Sequence, residues 1–145
     1  MTLSVLGHVL RMLLDSGASH DFISADAVKQ LGLRLRSAAW SHVTLADGGK
    51  QDILGQVTLR LKVGPLKLVL QPYVLPALSD GLSYILGSAT LEQYSGVLDY
   101  RARCLRLRKG SLSCKLAFGA GSPDSEAPTV NYAAAALCQR AEPRA

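Results

Sequence analysis

An apolar run in this chain leads directly into an aspartate, a serine and a glycine, Leu13-Leu14-Asp15-Ser16-Gly17. A carboxylate at the end of a buried strand is unfavourable unless hydrogen bonds hold it. Ser16 and Ser19 have hydroxyl groups that can donate such bonds, and Gly17 lets the backbone turn sharply beside the carboxyl group. These residue types indicate acid–base chemistry centred on Asp15.

Other residues with reactive side chains have less favourable spacing. The chain has three histidines, His8, His20 and His42. Because they lack the spacing of metal ligands, we interpret them as surface or turn residues. Three further aspartates, Asp21, Asp26 and Asp99, are interpreted as solvated or capping residues. No metal site and no cofactor is predicted.

The composition indicates one domain with an aliphatic core. Of the 145 residues, 48% are hydrophobic but only 6% are aromatic, so Leu, Val, Ile and Ala must fill the core. The three cysteines form no Cys-x-x-Cys pair, which favours a reducing compartment. The sequence has neither an apolar run of about 20 residues nor the pattern of a signal peptide, so we expect an intracellular, cytoplasmic protein without a membrane partner.

The periodicity predicts an all-β fold with one or two short helices. A hairpin is predicted around Gly7-His8, and a second around Asp47-Gly48-Gly49, where a turn separates two β-prone segments. Between them, Ser24 is a candidate N-cap and Gly32 a candidate stop for a helix of about two turns. A second helix is predicted over 88–94 and a last hairpin over 96–107. Many short strands favour a small barrel or a sandwich.

Residues from 109 onwards have a different composition. Ser, Gly, Pro and Ala dominate, and the alternation of apolar residues fades. We therefore predict one domain over residues 1–108 and a disordered tail or linker over 109–145.

Several motifs in this order resemble the retropepsin-like aspartic protease domain of LTR-retrotransposon (gypsy-type) polyproteins. The resemblance covers residues 1 to about 108. The motifs are the stretch Asp15-Ser16-Gly17-Ala18-Ser19-His20-Asp21-Phe22-Ile23-Ser24, the turn Ala46-Asp47-Gly48, the run Tyr84-Ile85-Leu86-Gly87, and the strands at 97–100 and 104–107.

The resemblance implies a small closed barrel of the single-lobed acid protease type that works as a homodimer. Each copy would contribute Asp15 as the catalytic residue, because no second Asp-Ser/Thr-Gly motif occurs in the chain. Two carboxyl groups that share one proton can activate a water molecule against a peptide bond. The substrate would be an extended segment of a polyprotein.

The resemblance also implies roles for three groups of residues. The loop that supports the catalytic group would be Ser16, Gly17, Ala18 and Ser19. The flap that closes over the substrate would contain Ala46, Asp47, Gly48, Gly49 and Lys50. The floor of the cleft would be Ile85, Leu86 and Gly87.

One position departs from the pattern. These proteases usually have a polar residue two positions after the glycine that ends the second apolar run. That glycine is Gly87 in this chain, and the residue two positions after it is Ala89. This departure favours an alternative, a catalytically inactive, domesticated dimeric interaction module. A third reading is a monomeric barrel that binds a small ligand.

Cations are concentrated near the end of the predicted domain. Five of the nine residues from 101 to 109 are Arg101, Arg103, Arg106, Arg108 and Lys109. The pattern allows a nucleic-acid contact, but Tyr100 is the one aromatic beside it, and a solvated strand face is the preferred interpretation.

Overall fold

The computed structural model describes residues 2–5, 7–45, 48–117 and 137–143. Within these ranges the chain forms short β strands, two α helices and one 3-10 helix at Ser79–Gly81. The strands are β1 Thr2–Val5, β2 His8–Leu14, β3 Phe22–Ser24, β4 Trp40–Leu45, β5 Lys50–Asp52, β6 Gly55–Gln56, β7 Leu59–Val63, β8 Leu66–Leu70, β9 Tyr73–Leu75, β10 Tyr84–Leu86, β11 Val97–Asp99, β12 Cys104–Lys109, β13 Leu112–Ala117 and β14 Leu137–Pro143. The helices are α1 Ala25–Leu31 and α2 Ser88–Gln93. The predicted mostly-β fold with short helices is therefore confirmed.

The largest described sheet has the order β1-β2-β10-β3-β9-β6. Its central strand β10 runs parallel to β2 and antiparallel to β3, so it has a neighbour on each edge. All three residues of β10 are buried, as expected for a strand covered on both faces. Because β2 and β10 run in the same direction, the turns that follow them lie at the same edge of the sheet.

Helix α1 begins and ends at the predicted residues. The Ser24 hydroxyl accepts a hydrogen bond from the Ala27 N–H at 3.2 Å, which satisfies one of the free amides of the first turn. Gly32 ends the helix in the left-handed region, with φ of 63°. The helix buries Ala27 and Leu31 against the sheet.

The core consists of two clusters, one on each face of the sheet that contains β2, β10 and β3. The first cluster contains the inner residues of α1 and of the hairpins β7–β8 and β12–β13. The second contains Ala18, Phe22 and Ile85 together with Val43 and Ile53, which lie in and beside the β4–β5 hairpin. The base of that hairpin therefore shares a core with the loop that follows Asp15.

Tyr94 joins two hairpins that belong to different sheets. Its side chain is 1% exposed, and its hydroxyl accepts the Val69 N–H of β8 at 2.8 Å. Its backbone carbonyl accepts the Arg108 N–H of β12 at 2.6 Å. One residue at the end of α2 thus holds the hairpin β7–β8 beside the strand β12.

The sheet pairing differs from the expected closed barrel. Pairing groups the described strands into four sheets rather than one continuous ring. The segment from Gln56 to Val63 forms two strands rather than one, because β6 pairs with β9 whereas β7 pairs with β8, and Val57 and Thr58 lie between them.

Ordered structure continues past the predicted domain boundary at residue 108. Strand β13 pairs with β12 along its whole length, from Lys109 opposite Leu112 to Cys104 opposite Ala117. Cys114 and Leu116 are buried in the first core cluster, which stabilises the strand. Strand β14 pairs with β4, from Leu137 opposite Leu45 to Pro143 opposite Trp40. The prediction of a disordered tail is thus wrong for these two strands, and residues 118–136 and 144–145 lie outside the described ranges.

Neither described α helix is long and apolar enough to cross a membrane.

We expect the Tyr94→Phe substitution to lower the free energy of unfolding by about 1–3 kcal/mol, because it leaves the Val69 N–H without its acceptor. Urea unfolding measures this loss. The matched control is Tyr100→Phe, since Tyr100 is 76% exposed and its substitution should change the stability by less than about 0.5 kcal/mol. Equal losses in the two variants would contradict the role of Tyr94.

Candidate active site

The Asp15 carboxyl group lies where β2 ends and is 7% exposed. The Asp15 N–H donates to the Leu86 carbonyl at 3.0 Å, which extends the β2–β10 pairing by one residue into the loop. The Ala18 N–H donates to the Asp15 carbonyl at 3.0 Å and closes the turn. Main-chain bonds on both sides of Asp15 therefore fix the direction of its side chain.

The two oxygens of the Asp15 carboxyl group have different surroundings. Oδ1 accepts the Gly17 N–H at 2.9 Å. Oδ2 is buried and has no hydrogen-bond partner among the residues that the structure describes. Burial raises the pKa of Asp15, and the hydrogen bond from the Gly17 amide, together with the nearby Ala18 N–H, opposes that rise. The site thus holds a carboxyl group that takes up a proton more readily than a solvated aspartate.

The predicted support loop acts mainly through its backbone. The donor to Oδ1 is the amide of Gly17, whereas the Ser16 side chain is exposed. The Ser19 hydroxyl lies 2.7 Å from Nδ1 of His20. Ala18 is fully buried, and its carbonyl accepts the Ser88 N–H at 2.7 Å. The loop is therefore bound to the first residue of α2.

Gly87 lies where the turns after β2 and β10 approach each other most closely. A Cβ atom at this position would lie 2.3 Å from the His20 carbonyl oxygen and 2.9 Å from that of Ala18. Both neighbours are backbone atoms and cannot rotate away, so the close approach requires glycine.

Ile85 and Leu86, expected on the cleft floor, are core residues. They are 0% and 1% exposed, because β10 lies between β2 and β3 and both of its faces are covered. Ile85 packs in the cluster with Ala18, and Leu86 packs in the cluster on the opposite side of the sheet. Their strand pairs with β2, which leads into Asp15, and their buried side chains are not accessible to a ligand in this structure.

The hairpin predicted as the flap consists of β4 and β5, which pair antiparallel from His42 opposite Asp52 to Thr44 opposite Lys50. Near the tip, the Leu45 N–H donates to the Gly49 carbonyl at 2.6 Å, and Gly48 has a φ of 88° that favours glycine. Lys50 is exposed. Ala46 and Asp47, predicted for the tip, lie outside the described residues.

Asp21 is a buried carboxyl group that the sequence interpretation missed. It is 5% exposed, Oδ2 accepts the Tyr84 hydroxyl, and Oδ1 accepts the Gly87 N–H at 2.7 Å. Burial raises the pKa of Asp21, and the hydrogen bonds from Tyr84, Gly87 and Thr90 oppose that rise. The signal was available, because Asp21 directly precedes the buried strand β3, just as Asp15 directly follows β2.

The other candidate groups remain apart from this site. Asp99 caps the turn after β11, where it accepts the Ala102 N–H at 2.9 Å, and Asp26 is exposed in the first turn of α1. His8 is exposed, whereas His20 and His42 are half-buried. Within the described residues, no group of three or more His, Cys, Asp or Glu side chains could hold a metal ion.

Comparison with known proteins supports the assignment of the fold. Residues 1–93 match a family described as "gag-polyprotein putative aspartyl protease". The chain belongs to this aspartyl protease family. Its fold is similar to the crystal structure of the retroviral protease-like domain of Ddi1 from Leishmania major, with a TM-score of 0.58 and 16% identity, over 79% of this chain and 90% of that chain. A comparison with curated proteins gave no match. The resemblance to retropepsin-like proteases is thus confirmed at the level of family and fold.

The position that departs from the aspartyl protease pattern lies beside Asp21. Ala89 is exposed at the edge of a cavity of about 300 Å³, whose lining includes His20, Asp21, Tyr73 and Thr90. The Ala89 N–H donates a hydrogen bond to the Ser19 carbonyl at 3.3 Å. Backbone bonds and the Asp21 carboxyl group therefore hold the start of α2 without a polar side chain at position 89.

We expect the Asp21→Ala substitution to lower the free energy of unfolding by about 2–5 kcal/mol, because the Tyr84 hydroxyl and the Gly87 N–H both lose a buried acceptor. Tyr84→Phe removes one of these donors and should cost less. Urea unfolding of the two single variants and the double variant gives their coupling, and strictly additive losses would contradict the hydrogen bond between them. Asp26→Ala is the matched control at an exposed aspartate.

Stability should fall as the pH rises above about 4, where the unfolded chain releases the Asp21 proton that the folded protein still holds. Its folded-state pKa is raised, so the folded protein keeps a proton that the unfolded chain has already released. The stabilisation is complete below the unfolded pKa and disappears as the pH passes the folded-state value. Asp21→Asn cannot ionise, so its unfolding free energy should decline less steeply. Parallel curves for this variant and the wild type would refute the assignment.

Proposed function

We propose that this protein is an aspartic endopeptidase that hydrolyses peptide bonds in extended segments of a polyprotein. In this proposal two copies of the chain pair, and each contributes the Asp15 carboxyl group to one active site. The membership in the aspartyl protease family and the retropepsin-like fold support the class of reaction.

The observation that carries the proposal is the environment of Asp15. Its carboxyl group is held by main-chain bonds, it is buried, and its Oδ2 accepts no hydrogen bond from the described residues. A structural carboxylate in such a position would be expected to have both oxygens satisfied, as Asp21 has. A second carboxyl group nearby would supply the missing interaction by sharing one proton.

The proposed chemistry follows from that shared proton. The ionised aspartate takes a proton from a water molecule, and the water oxygen attacks the carbonyl carbon of the peptide bond. The protonated aspartate gives its proton to the carbonyl oxygen. The tetrahedral intermediate collapses when the amide nitrogen takes a proton from one aspartate and the C–N bond breaks, while a hydroxyl group of the intermediate returns its proton to the other aspartate as the carboxylic acid product forms. The dyad returns to its singly protonated state.

The flap and the Asp15 loop are proposed to hold the substrate between them. An extended peptide can bind to exposed backbone groups as an added strand, which positions the scissile bond without recognition of every side chain. Exposed Ser16 lies in the loop that would face the second copy, where its hydroxyl group could donate across the pair.

The alternative, an inactive interaction module, depends on Ala89. The backbone contact from the Ala89 N–H and the hydrogen bond from Gly87 to Asp21 supply the local support that a polar residue at this position would provide. This arrangement favours the enzyme over the inactive module.

The decisive experiment is cleavage of an unfolded protein, such as acid-denatured casein, at about pH 5 by the purified full chain. We expect Asp15→Asn to lower the rate by about 10²–10⁴-fold, because it removes the general base while an amide oxygen can still accept the Gly17 N–H. Asp26→Asn changes an exposed aspartate by the same atoms and should cleave like the wild type.

Sedimentation velocity at the assay concentration separates the parts of the proposal. A wild-type dimer that cleaves no faster than Asp15→Asn would refute the enzyme and leave the interaction module. A monomer that cleaves, at a rate proportional to its concentration, would refute the shared site.

A further inference from the structure

The outer face of the β12–β13 hairpin has an unfavourable arrangement of charges. Leu105 and Leu107 point into the core, so Arg106 and Arg108 point outwards and are exposed. Lys115 of β13 lies directly opposite Arg106. Like charges in directly opposite positions of an antiparallel pair destabilise it. The Asp99 carboxylate contacts Arg106 at 3.1 Å and offsets one of these charges.

The β7–β8 hairpin repeats this arrangement independently. Its leucines face the same core cluster, whereas Arg60, Lys62 and Lys67 are exposed. Lys62 lies directly opposite Lys67. None of the residues in β7, β8, β12 and β13 is acidic, so no carboxylate within these four strands compensates the cations.

The two faces are neighbours because Tyr94 binds both hairpins. Its carbonyl accepts the Arg108 N–H, and its hydroxyl accepts the N–H of Val69, the residue directly opposite Arg60. One tyrosine therefore bridges the backbone of β8 and the backbone of β12. We call the combined set the basic surface, and it consists of Arg60, Lys62, Lys67, Arg106, Arg108 and Lys115.

The spacing of the basic surface fits a chain of phosphates. Alternate residues of a strand lie about 6.6–6.8 Å apart, which is the spacing of Arg60 from Lys62 and of Arg106 from Arg108. Successive phosphates of an extended single strand repeat on a similar scale. Arginine can also bind a phosphate through two parallel hydrogen bonds.

Two further features favour a nucleic acid over an anionic membrane. Tyr100 is 76% exposed in the turn between β11 and β12, beside the cations, where an aromatic ring can stack on a base. Membrane-surface elements usually place large apolar side chains beside their cations. The exposed positions of β7 and β12 instead carry Arg and Lys, and the large apolar side chains exposed on the described adjoining strands are isolated residues, Val97 opposite Arg106 and Leu112 opposite Lys109.

We propose that the basic surface binds single-stranded nucleic acid through its phosphates. This activity is separate from the proposed peptide hydrolysis, because the six cations lie on the outer faces of hairpins and Asp15 lies at the edge of the central sheet. The bound polyanion would relieve the repulsion between Lys62 and Lys67 and between Arg106 and Lys115.

The test is the binding of a fluorescently labelled 20-nucleotide oligouridine to the full chain, measured by anisotropy at several salt concentrations. If all six cations neutralise phosphates, the plot of log K against log salt should have a slope of about −4. The double variant Lys62→Glu/Arg108→Glu should bind at least about tenfold more weakly, with a slope shallower by about 1.4.

The matched control is Lys29→Glu/Arg34→Glu, which changes the net charge equally at exposed positions elsewhere. This control variant should bind oligouridine with close to the wild-type affinity. An equal loss of affinity in both double variants would show that binding depends only on net charge, and would overturn the proposal. Lys62→Glu should also raise the melting temperature, because it converts a repulsive pair with Lys67 into an attractive one. A retained or raised melting temperature shows that weaker binding does not come from unfolding.

Two further arms identify the partner. Binding to phosphatidylserine vesicles or to polyglutamate in preference to oligouridine would overturn the nucleic-acid proposal. Asp15→Asn should bind oligouridine like the wild type, so the outcome of this test does not depend on proteolytic activity.

Discussion

The parallel pairing of β2 with β10 is the contact on which the candidate site depends. It brings the turn after Leu14 and the turn after Leu86 to one edge of the sheet. The hydrogen bond from the Asp15 N–H to Leu86 and that from the Ser88 N–H to Ala18 continue the contact into both turns. The backbone at Gly87 is then so close to His20 that a side chain has no room. The position of the carboxyl group is thus a consequence of strand order, and main-chain hydrogen bonds rather than side-chain contacts fix it.

Two buried carboxyl groups lie near this edge, and their hydrogen bonds give them different chemistry. Asp21 accepts from Tyr84 on one oxygen and from Gly87 on the other, so its oxygens already stabilise the fold. Asp15 accepts the Gly17 amide on one oxygen, while the described residues provide no donor to the other. In a buried site, unfilled acceptor capacity is what makes a carboxyl group available to a proton or to a reacting molecule.

Local features were predictable from the sequence because the signals are local. Helix α1 follows from a cap at Ser24, a stop at Gly32 and apolar residues one turn apart, all within nine residues. The hairpin predicted as the flap and the turn at Asp15 were predictable in the same way, from glycines beside β-prone segments. Strand β13 also carried a signal, since Leu112, Cys114 and Leu116 alternate with polar residues, but the composition of the segment obscured it.

Features that depend on distant residues were not predictable in this way. The partners of Asp21 are 63 and 66 residues away in the chain, so its burial depends on which strands become neighbours. The same is true of Ile85 and Leu86, whose apolar character suits a cleft floor as well as a core. Because β10 lies between β2 and β3 in the sheet, both side chains are buried in the core.

The pairing of β14 with β4 makes the hairpin predicted as the flap part of a three-stranded sheet. A flap made of two strands can bend at its base as a hairpin, but β14 adds a third strand along the outer edge of β4. The opening of this hairpin that the proposed function requires must then either move three strands together or separate β14 from β4. The segment 118–136 connects β14 to β13, the strand that carries Lys115 of the basic surface. Strand β13, which carries Lys115, and strand β14, which pairs with β4, are therefore consecutive described strands of the chain.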